Sequence, residues 1–304
     1  MYGRYLESLL ARNYSKRTVA GREKYLSYFI EWARERDLFQ AKDITRPILE
    51  SYQRHLYRHR KPNGKPLGFS TQRNQLSSLK DYFRWLCRDH YLLANPASEI
   101  ELPKPEKRLP PLPLSRSEVE TLIAQPDIND WLGMRDRAML ELLYSTGIRR
   151  LELTQLKLCD VNFERETLAI RQGKGRKDRM LPIGERATHW LEHYLNNARP
   201  HLAAKTSEDT FFITSYGEAF NPDVLSRLVG KYIRQADVTR TSGSCHLMRH
   251  TMATRMLENG ADIRFIQQML GHAKLDTTEI YTQVSIQQLQ KVHAMTHPGA
   301  KHRG

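Results

Sequence analysis

A proline-rich segment divides this chain of 304 residues and most constrains how the chain can fold. Five prolines lie between Leu102 and Leu114, at positions 103, 105, 110, 111 and 113. Proline lacks a backbone N–H donor and fixes φ, so this segment cannot form a regular helix and should be extended and fairly stiff. Because a domain usually has about 100–200 residues, the sequence predicts a domain over residues 1–101, a basic linker over 102–114 and a second domain over 115–304.

Positive charge is concentrated before this linker. The chain carries a formal net charge of +14. Residues 1–100 hold 19 Lys and Arg against 10 Asp and Glu, whereas residues 101–304 hold 29 against 24. Such an excess favours a polyanionic partner without indicating a fold. Nucleic acid is the first candidate and an acidic membrane surface is the second, with the N-terminal domain as the part that grips the polyanion.

The three cysteines, Cys87, Cys159 and Cys245, indicate a reducing compartment. Their number is odd and they contain no CxxC pair, which argues against a disulfide scaffold or a zinc site. The N-terminus has no apolar signal segment, and no run reaches the roughly 18 apolar residues of a membrane span. We therefore expect a soluble, cytoplasmic protein that associates with the nucleoid if its partner is DNA.

The first domain is predicted to be helical. Ser15 should cap a helix over residues 16–36, Thr45 should cap a second helix, and Ser70 should open a third after a loop over 61–68. A short helix over 2–10 should precede them. The residues predicted to face the core are Val19, Leu26, Phe29, Ile30, Ala33, Ile48, Leu49, Tyr52, Leu56, Leu76, Leu79, Phe83 and Leu86.

Basic side chains crowd the other faces of these helices. Each one alone is typical of an ordinary solvated surface, but their collective excess favours a surface that contacts phosphates. The residues in question are Arg54, Arg58, Arg60, Arg73, Lys80, Arg84 and Arg88.

The second domain is predicted to combine helices with a small antiparallel sheet. A capping box over 115–118 should open a helix that buries Val119, Leu122 and Ile123, and a helix over 131–145 should end at Gly147. Strands are predicted over 166–171 and 179–183, with a turn over 173–176 between them. Further helices are predicted near 185–198, 222–236, 246–258, 263–270 and 286–295. The fold class is therefore mainly α with a small antiparallel β-sheet, or α+β.

Three short stretches of the second domain carry chemistry: TGIR at 146–149, HLMRHT at 246–251, and LGH at 270–272 followed by a tyrosine. They supply Arg149, Arg249, His246, His272 and Tyr281. Arginine neutralises phosphate through a planar fork that keeps its proton, histidine moves protons, and a tyrosine hydroxyl can attack. This set is the inventory needed to break a phosphodiester without a metal.

The spacing of these residues suggests how they would act. Arg149 follows the turn at Gly147 and should project from a helix start, while Arg249 shares a helix face with His246. The two arginines could clamp one phosphate. A tyrosine with a pKa of about 10 is only about one part in a thousand ionised at neutral pH, so its attack needs a base or nearby cations.

Lys174 is the candidate general acid, because it lies at the tip of the predicted hairpin and could reach the leaving 5′ oxygen. Taken one at a time, these signals are weak, since arginines, Gly-His pairs and hairpin lysines are common on ordinary surfaces. Twelve histidines raise the question of a metal, but their number alone does not define a metal site. We expect no metal and no cofactor.

Taken together and in this order, the residues resemble the tyrosine recombinase (phage integrase) family. TGIRRLEL resembles the first arginine box and assigns Arg149 rather than Arg150, and GKGRKDR resembles the hairpin box and assigns Lys174 rather than Lys177. HLMRHT and LGHAKLDTTEIYTQV resemble the last two boxes. They assign His246, Arg249, His272 and Tyr281. The compact layout is similar to Xer-like members and to members carried on mobile elements.

The resemblance implies a mechanism and partners. Tyr281 would attack the scissile phosphate, form a 3′-phosphotyrosine and release a 5′ hydroxyl. Such a hydroxyl from a partner strand would then attack the phosphotyrosine, and two strand exchanges through a Holliday junction would complete recombination. Glu152 would buttress the site. Two domains would form a C-shaped clamp around double-stranded DNA carrying specific recombination sites. Four protomers would act on two sites, as a homo-tetramer or together with a sister recombinase.

The C-terminal segment has two interpretations. An amphipathic stretch around Ile286, Leu289 and Val292 resembles the family's tail helix that docks on a neighbouring protomer. Alternatively, it packs on its own domain. Two other functions also compete with recombination: a type IB topoisomerase-like enzyme that relaxes DNA, and a DNA-binding regulator that has kept the fold but lost the chemistry. The sequence does not distinguish integration from excision or resolution.

Overall fold

The two sides of the proline-rich segment form separate hydrophobic cores in the computed structural model. The structure describes residues 1–104, 112–171, 178–203, 209–238, 243–271, 286–297 and 299. The chain divides into two compact units, Met1–Leu109 and Pro110–Gly304. Most of the described chain is helical, and unit 2 adds a sheet of three short strands. The predicted fold class, mainly α with a small antiparallel sheet, is therefore confirmed.

The described part of unit 1, residues 1–104, is built from four α-helices and a short 3-10 helix (Ala41–Asp43) around an aromatic core. Phe29 contacts Tyr52 and Phe83 edge-on, with ring centroids 5.0 and 6.2 Å apart. Of the predicted core positions, only Ile30 and Ile48 are partly exposed. The four helices are α1 (Tyr2–Ala11), α2 (Lys16–Arg34), α3 (Arg46–Arg58) and α4 (Phe69–Arg88).

The helix starts in unit 1 follow the predicted caps in one case and depart from them in two. The Ser15 hydroxyl accepts the Thr18 N–H at 3.2 Å, as predicted for α2. Thr45 precedes α3, but its side chain makes no capping hydrogen bond. The start predicted at Ser70 is wrong, because the backbone is already helical at Phe69 after an extended Gly68.

Two of the basic residues predicted to lie on exposed helix faces are half-buried and hold the chain that follows α4. The Arg73 guanidinium donates to the Pro103 carbonyl at 2.8 Å. The Lys80 ammonium donates to the carbonyls of Ser98 and Ile100, each at 2.8 Å. These cations therefore fix the start of the proline-rich segment to unit 1. The other five, Arg54, Arg58, Arg60, Arg84 and Arg88, are exposed.

Unit 2 contains the remaining helices. The predicted capping box is present, since the Ser115 N–H donates to Glu118 at 2.6 Å and the Glu118 N–H donates to the Ser115 hydroxyl at 3.2 Å. A π turn over Tyr194–Ala198 joins two of the helices. The helices are α5 (Arg116–Ile123), α6 (Trp131–Thr146), α7 (Arg150–Thr154), α8 (Glu185–His193), α9 (Arg199–Leu202), α10 (Pro222–Gln235), α11 (Cys245–Glu258), α12 (Ile263–Leu270) and α13 (Ile286–Thr296).

The sheet of unit 2 has three antiparallel strands in the order β1-β2-β3. They are β1 (Val161–Asn162), β2 (Thr167–Ile170) and β3 (Arg179–Pro182), with Leu168 opposite both Val161 and Leu181. The sequence predicted β2 and β3 but missed β1, which is too short to show a pattern. The predicted turn over 173–176 lies outside the described residues.

The C-terminal helix α13 packs on its own unit in this chain. His293 and His297 are buried, and their imidazole Nε2 atoms lie 3.0 Å from the Ser145 carbonyl oxygen and 2.9 Å from that of Tyr144. In the single chain the helix therefore packs as in the second of the two interpretations considered above, and its docking on a neighbouring protomer stays a prediction. Among the described helices, none is both long and apolar enough to cross a membrane.

Candidate active site

Gly147 sets the position of the first candidate arginine. It ends α6 with a left-handed φ of 60°, and its N–H donates to the Leu143 carbonyl at 3.0 Å. The left-handed backbone requires glycine here, and a Cβ would also lie 2.1 Å from Cε of Met252, so that side chain would have to move. The chain then turns through the buried Ile148 and places Arg149 at the N-cap of α7.

The Glu152 carboxylate binds Arg149 twice. Its Oε2 accepts the Arg149 backbone N–H at 2.9 Å, and its Oε1 accepts Arg149 Nη1 at 2.8 Å. Arg179, at the start of β3, adds Nη1 to Oε1 at 3.0 Å and Nη2 to Oε2 at 2.8 Å. Burial would raise the pKa of Glu152, but these hydrogen bonds from Arg179 and Arg149 outweigh it and lower the pKa. The carboxylate is therefore ionised at neutral pH.

Arg249 lies on α11 and reaches the same region from another segment. Its Nη1 donates to the Gly147 carbonyl at 2.5 Å, and its Nη2 donates to the Leu270 carbonyl at 2.6 Å. Burial, together with the positive charge of Arg149, lowers the pKa of Arg249 to about 10. Arg249 therefore remains a cation at neutral pH, held in the protein by two backbone carbonyls.

The C-terminal end of α12 collects three arginines. Arg179 Nε donates to the Met269 carbonyl at 3.0 Å, Arg249 donates to Leu270, and Arg149 Nη2 donates to Gly271 at 2.9 Å. The last carbonyls of a helix have no partner within the helix and lie at the negative end of its dipole, so they attract cations. Three consecutive carbonyls thus gather guanidinium groups from three separate parts of the chain.

His246, in the first turn of α11, is exposed beside this cluster. Partial burial lowers its pKa, and the charges of Arg249, Arg150 and Arg149 lower it further. The imidazole is therefore neutral at neutral pH. A neutral imidazole can accept a proton, which is the state that a general base requires.

Of the six residues singled out from the sequence, the structure brings Arg149, His246 and Arg249 together. Lys174, His272 and Tyr281 lie outside the described residues. The neighbouring arginine of the first box is directed elsewhere: Arg150 Nη1 donates to Asp223 at 2.7 Å and to Ser226 at 2.9 Å, both on α10. Arg149 rather than Arg150 therefore belongs to the cluster.

Sequence reasoning missed Arg179. Arg179 is the last residue of the GKGRKDR stretch, from which the family resemblance assigns only Lys174. A charged residue that opens a predicted strand was the available signal. Among the described residues, no group of three His, Cys, Asp or Glu is arranged to hold a metal.

Two family models match the chain. The model described as the phage integrase family matches residues 113–288, and the one described as the phage integrase N-terminal SAM-like domain matches residues 3–90. Together they cover both units.

Several tyrosine recombinases are similar to this chain over nearly its whole length. Tyrosine recombinase XerC 2 of Ralstonia nicotianae is 49% identical over 299 residues, which cover 98% of this chain and 86% of the relative. Tyrosine recombinase XerD of the same organism is 35% identical, and the match covers 97% of this chain and 91% of the relative. XerD of Lacticaseibacillus casei is 33% identical, with 94% of each chain covered.

Solved structures share the fold. The XerH site-specific recombinase bound to a palindromic difH substrate superposes with a TM-score of 0.68 at 23% identity, covering 94% of this chain and 81% of that one. A lambda integrase in a tetramer bound to a Holliday junction gives a TM-score of 0.64 at 20% identity. The superposition covers 96% of this chain and 76% of that one.

Proposed function

Because this chain belongs to the phage integrase family of tyrosine recombinases and is a site-specific DNA recombinase, we propose that Tyr281 is its nucleophile. The phenolic oxygen attacks the scissile phosphate, the bond to the 5′ oxygen breaks, and a 3′-phosphotyrosine remains. A 5′ hydroxyl from a partner strand then attacks the phosphotyrosine and releases the tyrosine. One phosphoester replaces another at each step, so the sequence of reactions balances without ATP.

One observation carries this proposal: Arg149 and Arg249 meet at the end of α12. Both are cationic at neutral pH, and each comes from a different segment, so together they can bind two oxygens of one phosphate. Charge gathers on these oxygens during attack. Removing one such donor typically costs on the order of 100- to 1,000-fold in rate.

The roles of the other residues follow from their chemistry and from the family pattern. His246 is exposed and neutral, so it can accept the proton of the attacking hydroxyl. The nearby arginines favour the ionised tyrosine. Lys174 is proposed as the general acid that protonates the leaving 5′ oxygen, and His272 as a contact to the phosphate.

The proposed assembly is a tetramer on two duplex sites. The fold neighbour bound to a Holliday junction is a tetramer, which supports four protomers acting on two duplex sites through such a junction. The domain over 1–101, with its exposed basic side chains, and the catalytic domain over 115–304 would close around the duplex as a C-shaped clamp joined by the linker 102–114. Docking of α13 on a neighbouring protomer would require it to leave its own unit. The enzyme would act in the cytoplasm, at the nucleoid.

Covalent capture tests the proposal. Wild type and Tyr281→Phe are incubated with fragmented chromosomal DNA in EDTA and stopped with SDS, and the protein-linked DNA is sequenced. Adducts with wild type alone would support a metal-independent tyrosine nucleophile and map the site. Adducts that persist with Tyr281→Phe would refute the assignment. DNA binding without adducts from either protein would mean that the enzyme needs a missing partner or that the chain is a binder without the chemistry.

A further inference from the structure

The carboxylate of Glu152 accepts as many hydrogen bonds from Arg179 as from Arg149. Each carboxylate oxygen accepts one hydrogen bond from Arg149 and one from Arg179, at 2.8 to 3.0 Å. The side chains of Glu152 and Arg179 are only 6% and 11% exposed. Resting on the function proposed above, we infer that Arg179 is a positioning residue for strand cleavage: it fixes Glu152, and through Glu152 it fixes the phosphate-binding Arg149.

Burial makes Glu152 depend on Arg179. A buried carboxylate favours its neutral form unless donors satisfy it, and a protonated Glu152 could accept fewer hydrogen bonds from Arg149. Arg179 provides the largest effect that keeps the carboxylate charged. Without it, half of the donors to Glu152 are lost while the side chain remains buried.

Arg179 also holds the helix end that the other two arginines share. Its Nε donates to the Met269 carbonyl at 3.0 Å, next to the carbonyls that accept from Arg249 and Arg149. Gly271 has a left-handed φ of 59°, and a Cβ there would lie 3.1 Å from Cζ of Arg179. Arg179 therefore links β3, α7 and the end of α12 through a single planar group.

The geometry separates this role from phosphate binding. All three nitrogens of the Arg179 guanidinium donate to protein acceptors, and two of them pair with the Glu152 carboxylate, whereas the acceptors that the structure describes for Arg249 are neutral carbonyls. Removal of Arg179 should therefore change the geometry of cleavage rather than the charge presented to DNA. A misplacement of about 1 Å in a reacting group can lower a rate on the order of 100-fold.

Arg186 provides a matched control in the same unit. It is also a nearly buried arginine that bridges carboxylates, with Nε 2.8 Å from Glu141 and Nη1 2.8 Å from Glu120. It lies on α8 and makes none of the contacts that hold the arginine cluster together. The variant Arg186→Gln therefore reproduces the general cost of removing a buried ion pair.

The experiment compares wild type, Arg179→Gln, Arg179→Lys and Arg186→Gln on a duplex carrying the site recovered by covalent capture. The rate of adduct formation and the affinity for the duplex are measured from pH 5.5 to 8.5. We expect Arg179→Gln to lose on the order of 100-fold in rate with its affinity changed less than the rate. The acid limb of its pH–rate profile should move to higher pH, because Glu152 then protonates more easily. Lysine should not rescue it, since one ammonium cannot replace a fork that spans two oxygens.

Two outcomes would overturn the inference. One is an Arg179→Gln rate and pH profile equal to those of Arg186→Gln. The other is a loss of affinity as large as the loss of rate. Failure of the proposed function is distinguishable, because wild type itself would then form no adduct.

Carboxyl-carbon NMR of the glutamates, with the Glu152 signal assigned through Glu152→Gln, tests the coupling without activity. The pKa of Glu152 should rise in Arg179→Gln and stay unchanged in Arg186→Gln. An unchanged Glu152 titration in Arg179→Gln would also refute the inference.

Discussion

Acidification should release the C-terminal segment from unit 2, because two buried histidines hold it there. His293 and His297 stack with ring centroids 4.6 Å apart. Carbonyl oxygens can only accept, so each Nε2 carries the proton that it donates to Ser145 or Tyr144. Nδ1 of His297 accepts the Gly299 N–H at 3.0 Å, so it cannot take a proton without breaking that bond.

The pKa values set the direction and the pH window. Burial lowers the pKa of both histidines, that of His297 to well below its usual value. His293 and the Arg186 charge on α8 lower that of His297 further. In the undocked segment both histidines would regain an ordinary pKa of about 6.5. Docking is therefore fully favoured above that pH and weakens as the pH falls below it, because the undocked form then binds more protons.

The magnitude follows from the same linkage. One pH unit below 6.5, a histidine that stays neutral when docked contributes about 1.4 kcal/mol in favour of release. His297 alone should therefore shift the docking equilibrium about 10-fold at pH 5.5, and the pair together by up to about 100-fold.

Hydrogen exchange of the amides in α13, compared at pH 7.5 and 5.5 after correction for intrinsic rates, measures this release. Helix α2 in unit 1 serves as an internal reference. In a His293→Gln, His297→Gln double variant the pH dependence should be much smaller. Any remainder would be assigned to Glu141, whose pKa burial raises and which pairs with Arg186. Equal protection of α13 at both pH values in wild type, or an undiminished pH dependence in the double variant, would refute the reasoning.

Three further predictions concern the site and its surroundings. Gly147→Ala should destabilise unit 2 by about 1–2 kcal/mol from the left-handed backbone alone, with a further cost from the contact with Met252, and thermal unfolding should show it. Arg249→Gln should slow adduct formation by about 100- to 1,000-fold while duplex binding persists; an unaltered rate would exclude Arg249 from the phosphate site. Affinity for duplex DNA should fall by orders of magnitude between about 50 and 200 mM salt, and a flat response by fluorescence anisotropy would contradict a phosphate-gripping surface.

Local signals in the sequence were enough to predict most of the helices. Ser15, the capping box at Ser115 and the glycine stop at Gly147 act through hydrogen bonds between residues three or four positions apart. Such bonds form wherever the sequence places the right side chain, whatever surrounds it. The motifs likewise singled out Arg149, His246 and Arg249 as candidates, because residue type and spacing are visible in the chain itself.

Tertiary structure alone decided how these residues are held. The bonds from Arg179 to Glu152 and from Arg149 to Gly271 join residues 27 and 122 positions apart. The same holds for α13, whose histidines meet carbonyls about 150 positions earlier, at separations of 148 and 153. The hydrophobic periodicity of the sequence does not predict such pairs, because the helix ends and buried surfaces that select them exist only after the units have packed. The sequence by itself therefore determined which groups this recombinase has for its chemistry, whereas the folded chain determined which of them share a carboxylate, a helix end and a buried face.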